Sequence, residues 1–159
     1  MHLREYAIFV RGLVRLHPKP FAIAAMLRAD AVLWHGLYLE AQLEEFLIQL
    51  GDRKRVFAVG EAAPRERLIA HDDYSNKVDP HIWMDPSLWR SVVVAVRDAL
   101  SAIDPDGTAT YAAGAERHLA EVDRLNAYAV ERLASVPAEQ RVLVTAHDAF
   151  NYFGRAFAF

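Results

Sequence analysis

The 159-residue sequence contains no cysteine. Disulfides, thiolate zinc sites, thiol nucleophiles and Cys-bound iron–sulfur clusters are therefore excluded. The compartment stays open, because extracytoplasmic proteins also do without cysteine. Long apolar runs are missing too, and nothing approaches the roughly 20 residues of a membrane helix. Nor does Met1 to Leu13 read as a signal peptide. Glu5 and Arg11 confine its apolar stretch to Tyr6–Val10, shorter than the ~7–15 residues of an h-region. Basic charge is not in excess: 18 Lys and Arg face 21 Asp and Glu, for a formal net charge of -3. The densest basic run, Arg53-Lys54-Arg55, reads as a solvated turn, so nucleic acid is not an expected partner. No His-Glu-x-x-His helix and no Gly-x-Ser-x-Gly elbow occurs, which argues against a metal-dependent hydrolase.

What is present suits a globular chain of about one domain: 53% of residues are hydrophobic and 25% charged. Tyr6, Phe9, Val10 and Leu13 have helical spacing, which predicts a short amphipathic helix. Phe21 to Arg28 reads as a second helix, with Pro20 near its first turn. Ala31-Val32-Leu33-Trp34 predicts a buried strand. Leu39, Leu43, Phe46, Leu47 and Leu50 mark one face of a helix that stops at Gly51. Val56-Phe57-Ala58-Val59 predicts a second strand. From Glu61 to Pro86 the pattern breaks into a long irregular segment, and segments of that kind are usually functional or disordered.

Periodicity then returns. Asp85 is a suitable N-cap with Pro86 at the first helical position, and Trp89, Val92, Val93, Val96, Leu100 and Ile103 form one apolar stripe. After a turn at Asp104-Pro105-Asp106-Gly107, the longest periodic segment carries Tyr111, Ala115, Leu119, Val122, Leu125, Ala129 and Leu133. Roughly 28 residues at about 1.5 Å each give a helix of about 40 Å. It either runs across two lobes or forms one arm of a helical hairpin. Val142-Leu143-Val144-Thr145 predicts a strand, followed by a helix over Phe150–Phe157. The order of strands and helices implies an α/β chain with parallel strands. The last strand and helix open a βα unit with no later strand to pair with.

Seven histidines are candidate ligands: His2, His17, His35, His71, His81, His118 and His147. Pro80 stiffens the backbone before His81, in Asp79-Pro80-His81-Ile82-Trp83-Met84-Asp85-Pro86. His147 follows the expected strand Val142–Thr145 at its carboxyl end, where open α/β sheets present ligand-binding groups. Imidazole is a common ligand for divalent transition ions.

The Asp79–Pro86 stretch resembles the central signature of the solute-binding proteins that capture zinc or manganese for ABC importers. Thr145-Ala146-His147-Asp148-Ala149-Phe150-Asn151-Tyr152-Phe153 resembles their second signature. Ala29-Asp30 through Gly36-Leu37-Tyr38-Leu39-Glu40 resembles a third, non-liganding stretch in the first lobe. The resemblance runs from about Pro18 to the end of the chain, in the family's order and spacing.

That resemblance implies a two-lobed α/β solute-binding fold whose lobes are joined by one long helix, Thr108–Ser135. Residues 1–104 would form an incomplete N-terminal lobe, 105–136 the interlobe helix, and 137–159 the first strand and helix of the C-terminal lobe. His81 and His147 would hold one ion, Mn2+ or Zn2+, as cargo delivered to a membrane permease of an ABC importer outside the cytoplasm. The chain departs from the family in two ways. Aligning Pro18-Lys19-Pro20 puts Val14 where an upstream ligand histidine belongs, with His17 three residues away. The fourth ligand, late in the second lobe, would lie beyond Phe159. The chain is thus expected to be truncated at both ends, with weak residual binding. A non-binding remnant is the alternative, and an enzyme is not expected. The resemblance gives His35 no ligand role. His71 is expected in a solvated loop, His118 on a helix surface or in packing, and Asp148, beside His147, as an orienting acceptor or a charge at a helix start. Trp34, Trp83 and Trp89 are expected to pack. The absence of a long His- and acid-rich loop near His71 leans toward manganese. Histidine ligation implies an affinity that falls as pH drops through about 6.5.

Overall fold

The computed structural model describes residues 6–8, 20–71 and 74–159. Among the described residues, three short strands form a parallel sheet in the order β1 (Tyr6–Ile8), β2 (Ala31–Trp34), β3 (Arg55–Ala58). Tyr6 lies opposite Ala31, and Ala31 opposite Arg55. Parallel strands need crossover connections, supplied here by α1 (Pro20–Arg28) and α2 (Glu44–Gly51).

All four residues of β2 are buried, as expected of a central parallel strand covered on both faces. Val32 and Trp34 join Met26 and Ala29 with Leu43, Leu47 and Leu50 in one core under α1 and α2. Lys54 donates to the carbonyls of Leu27 and Ala29 at 2.7 and 2.5 Å, satisfying acceptors at the end of α1.

A second core gathers Leu37, Ala63, Ile82, Leu88, Val92 and Tyr152. It lies under α3 (Pro86–Ile103), which begins where the Asp85 carboxylate accepts from the amides of Ser87 and Leu88. α3 turns through Pro105–Gly107 into α4 (Thr108–Ala134), and the two helices pack as a hairpin with Arg90 paired to Asp123. The last helix, α5 (Asn151–Phe157), sends the fully buried Tyr152 into the second core. No helix among the described residues is long and apolar enough to cross a membrane.

Three expectations are corrected. Tyr6–Ile8 is a strand, not the start of a helix; a short apolar run fits both periods, and pairing with β2 decides. The rest of that expected helix, with His2, Val14 and His17, lies outside the described residues. Residues 37–43 form turns instead of the first half of α2, because Leu37 and Tyr38 adopt positive φ after Gly36. Val142–Thr145 is not a strand: no described strand lies alongside it, and Val142 and Val144 are 73% and 89% exposed. The long irregular segment is largely ordered by short 3-10 turns and by an antiparallel bridge between Ala70 and Val78.

Candidate metal centre

His81 and His147, far apart in sequence, come together. Their ring centroids are 5.2 Å apart at an interplanar angle of 80°. Both line a cavity of about 350 Å³ whose wall also includes Tyr38, His71, Tyr74, Asp79, Asp148 and Asn151.

His81 is buried and fixed from several sides. Its Nδ1 lies 2.6 Å from Asp79 Oδ1, which also accepts from the His81 amide at 2.9 Å. The Trp83 ring meets it edge-on at 5.1 Å. Asp79 is itself anchored: its amide donates to Ile69, Tyr152 Oη donates to its carbonyl at 2.8 Å, and Asn151 Nδ2 donates to its Oδ2 at 3.1 Å. Burial opposes ionisation of Asp79, but hydrogen bonds from the His81 ring and amide and from Asn151 outweigh it. Its carboxyl is held below the usual carboxylate range. An ionised carboxylate only accepts, so His81 Nδ1 carries a proton.

The loop that carries His81 is braced by His35. His35 Nε2 donates to the Pro80 carbonyl at 2.8 Å, and its ring lies between Trp83 and Trp89, edge-on to the first and stacked on the second. Burial is the main reason its pKa falls to about 4; the Pro80 hydrogen bond opposes this and His81 adds to it. Gly60 makes room: a Cβ there would lie 2.5 Å from the His35 carbonyl oxygen.

The cavity wall after β2 is a tight turn. Gly36, Leu37 and Tyr38 have φ of +79, 53 and 68°. Such a run is costly for non-glycine residues, and carboxylates hold it: Glu40 accepts from the amides of His35 and Gly36, and Glu61 from that of Leu37. Burial pushes the Glu40 carboxyl up, against those amides. Lys77 sits over the Tyr38 ring at 4.2 Å and pairs with Glu44.

Among the remaining candidates, His71 lies on the cavity wall, its ring centroid 4.7 Å from that of Tyr74. His35 is buried behind the centre. His118 is on the exposed face of α4 beside Glu121. Asp148 is exposed on the cavity wall, and Asp79 is the carboxylate that engages the His81 ring. Trp34 is core, while Trp83 and Trp89 frame His35. Asp79, Asn151 and Tyr152 were not singled out from sequence; the spacing of Asp79 two residues before His81 was the available signal. Among the described residues, no group of three or more His, Asp or Glu side chains is arranged to hold a metal ion.

Sheet, hairpin and histidine-lined cavity make a helix-rich α/β chain, and its structural neighbours place that fold in the solute-binding class. Residues 15–159 match the family described as zinc-uptake complex component A, periplasmic, and the chain belongs to that family. It is 38% identical to the zinc-binding protein TroA of Treponema pallidum over 82% of this chain and 42% of the relative. It is 34% identical to the manganese-binding lipoprotein MntA of Bacillus subtilis, over 84% and 44%. It is also 34% identical to the iron-binding protein YfeA of Yersinia pestis, over 89% and 45%. The structure superposes on that of Treponema pallidum TroA with a TM-score of 0.83 at 36% identity, over 88% of this chain and 50% of that one. A zinc-bound ZnuA deletion mutant gives 0.79 at 28% identity, over 91% and 54%. These neighbours are two-lobed solute-binding proteins, and the chain spans about half their length.

Proposed function

We propose that this chain contributes a metal-capturing site to the substrate-binding component of an ABC importer. His81 and His147 take a divalent ion, Mn2+ or Zn2+, as cargo. The work is capture without chemistry: the ion is bound, carried to a membrane permease outside the cytoplasm, and released. Residues 1–104 and 137–159 would belong to separate lobes, with 105–136 as the helix between them.

The apposition of the two rings carries this reading. A coordinate bond of about 2.1 Å and about 1.1 Å from nitrogen to centroid put each centroid about 3.2 Å from a shared ion, so a tetrahedral angle separates two of them by about 5 Å. The observed 5.2 Å suits that arrangement. Asp79 behind His81 is the partner that metal-bound imidazoles commonly have. Names borne by relatives range over zinc, manganese and iron, so they leave the ion open.

A second reading, a remnant that no longer binds, is favoured by the lack of a third ligand grouped with the two histidines among the described residues. Calorimetric titration with Mn2+ and with Zn2+ separates the two. Saturable heat that disappears in His81→Ala and in His147→Ala supports capture. No heat and no thermal stabilisation supports the remnant, and binding that survives the double substitution removes the ligand assignment.

A further inference from the structure

Asn151 lies four residues after His147, yet its side chain reaches back to the loop that carries His81. Its Nδ2 donates to Asp79 Oδ2 at 3.1 Å, while Oδ1 of the same carboxylate engages His81 Nδ1 at 2.6 Å. The two bonds use different oxygens, so the amide fixes the rotation of the carboxylate without competing for the imidazole. A carboxylate with one oxygen unheld turns about its last torsion, a broad and soft one. The neighbouring Tyr152 holds the Asp79 backbone: its hydroxyl donates to the Asp79 carbonyl and accepts from the Ile69 amide. Side chain and main chain of Asp79 are thus held by adjacent residues of α5.

From this geometry we infer that Asn151 is a positioning residue for His81, acting through Asp79. The segment that brings one histidine to the cavity thereby sets the tautomer and orientation of the other. With Asn151 in place, the Asp79 carboxylate stays turned toward His81 and the proton between them stays on Nδ1. This inference rests on the capture reading for its consequence, but the positioning itself can be measured without any metal.

The test uses the full chain labelled with 15N-histidine, the His81 signals being assigned by their loss in His81→Ala. In the wild type, the ring nitrogens of His81 should show the Nδ1–H tautomer. Asn151→Ala should give a mixed-tautomer pattern in a protein that is still folded, and Mn2+ or Zn2+ should bind about tenfold more weakly, the low end of what loss of an outer-shell partner does. Asn151→Leu, which keeps the volume and removes the donor, should do the same and serves if the alanine variant does not fold. Unchanged His81 nitrogen shifts in a folded variant overturn the inference, including where metal affinity has dropped, because the loss would then not pass through Asp79. Altered shifts in a chain whose wild type binds no metal support positioning and count against the capture reading alone.

Discussion

His35 stays neutral in the folded chain because its ring is buried among Pro80, Trp83 and Trp89, with one nitrogen committed to a carbonyl. Its pKa is lowered to about 4 from an ordinary value of 6.5. Between these values the unfolded chain holds a proton that the folded chain does not. The associated stability is therefore complete above about pH 6.5 and is lost as pH falls toward 4, a contribution of about 3 kcal/mol at most. Thermal melts from pH 7.5 to 4.5 should show this decline, and His35→Gln should flatten it. An equal slope in the variant would assign the acid sensitivity to other groups. The surrounding contacts show how a histidine at the end of β2 serves as a brace: its Nε2 is bonded to the Pro80 carbonyl of the His81 loop, and Gly60 leaves the space the ring needs.

At the level of elements, α3 is held at its start by one side chain. Asp85 Oδ1 accepts from the Ser87 amide and hydroxyl and more weakly from the Leu88 amide, while Oδ2 pairs with Arg67 at 3.0 Å. Asp85→Ala should cost about 2 kcal/mol for the lost cap, lowering the melting temperature by about 4–8 °C in a domain of this size. Asp85→Asn, which keeps an N-cap acceptor, should recover much of that, and equal damage from both would point to the Arg67 pair instead. This start was legible in the sequence, since Asp-Pro before an apolar stripe signals a helix whatever follows. β2 and β3 were legible as short apolar runs, and α4 as a long period, with its end observed at Ala134. β1 was not, because a few apolar residues fit either period and only the neighbouring strand chooses. Nor was the late start of α2: the left-handed turn at Gly36–Tyr38 depends on Glu40 and on Glu61, which is 24 residues beyond Leu37. At the site, the two histidines could be picked out through motifs, whereas the roles of Asn151 and Tyr152 arise from contacts made across more than 70 residues.

Across the whole molecule, apolar surface is distributed unevenly. The central strand β2 and the core-facing residues of α2 and α3 are covered, but Leu125, Tyr128 and Val130 on the later turns of α4 are 58%, 60% and 53% exposed. Val142, Leu143 and Val144 are 73%, 42% and 89% exposed, in a segment of strand-forming residues that pairs with no described strand. The Val142 amide donates to the Gln140 carbonyl at 2.8 Å, but a segment that joins no described strand offers its remaining backbone groups to another chain, and nearby apolar side chains add a driving force. Two copies meeting through this segment would satisfy both needs. The chain should therefore associate as its concentration rises, with sedimentation velocity showing species larger than 17.9 kDa. Val142→Lys with Val144→Lys should shift that equilibrium toward monomer while leaving the melting temperature nearly unchanged, because neither side chain is packed in the folded chain. Association that persists unaltered in the double variant would move the sticking surface to α4, where Leu125→Lys would be the next substitution to separate the two.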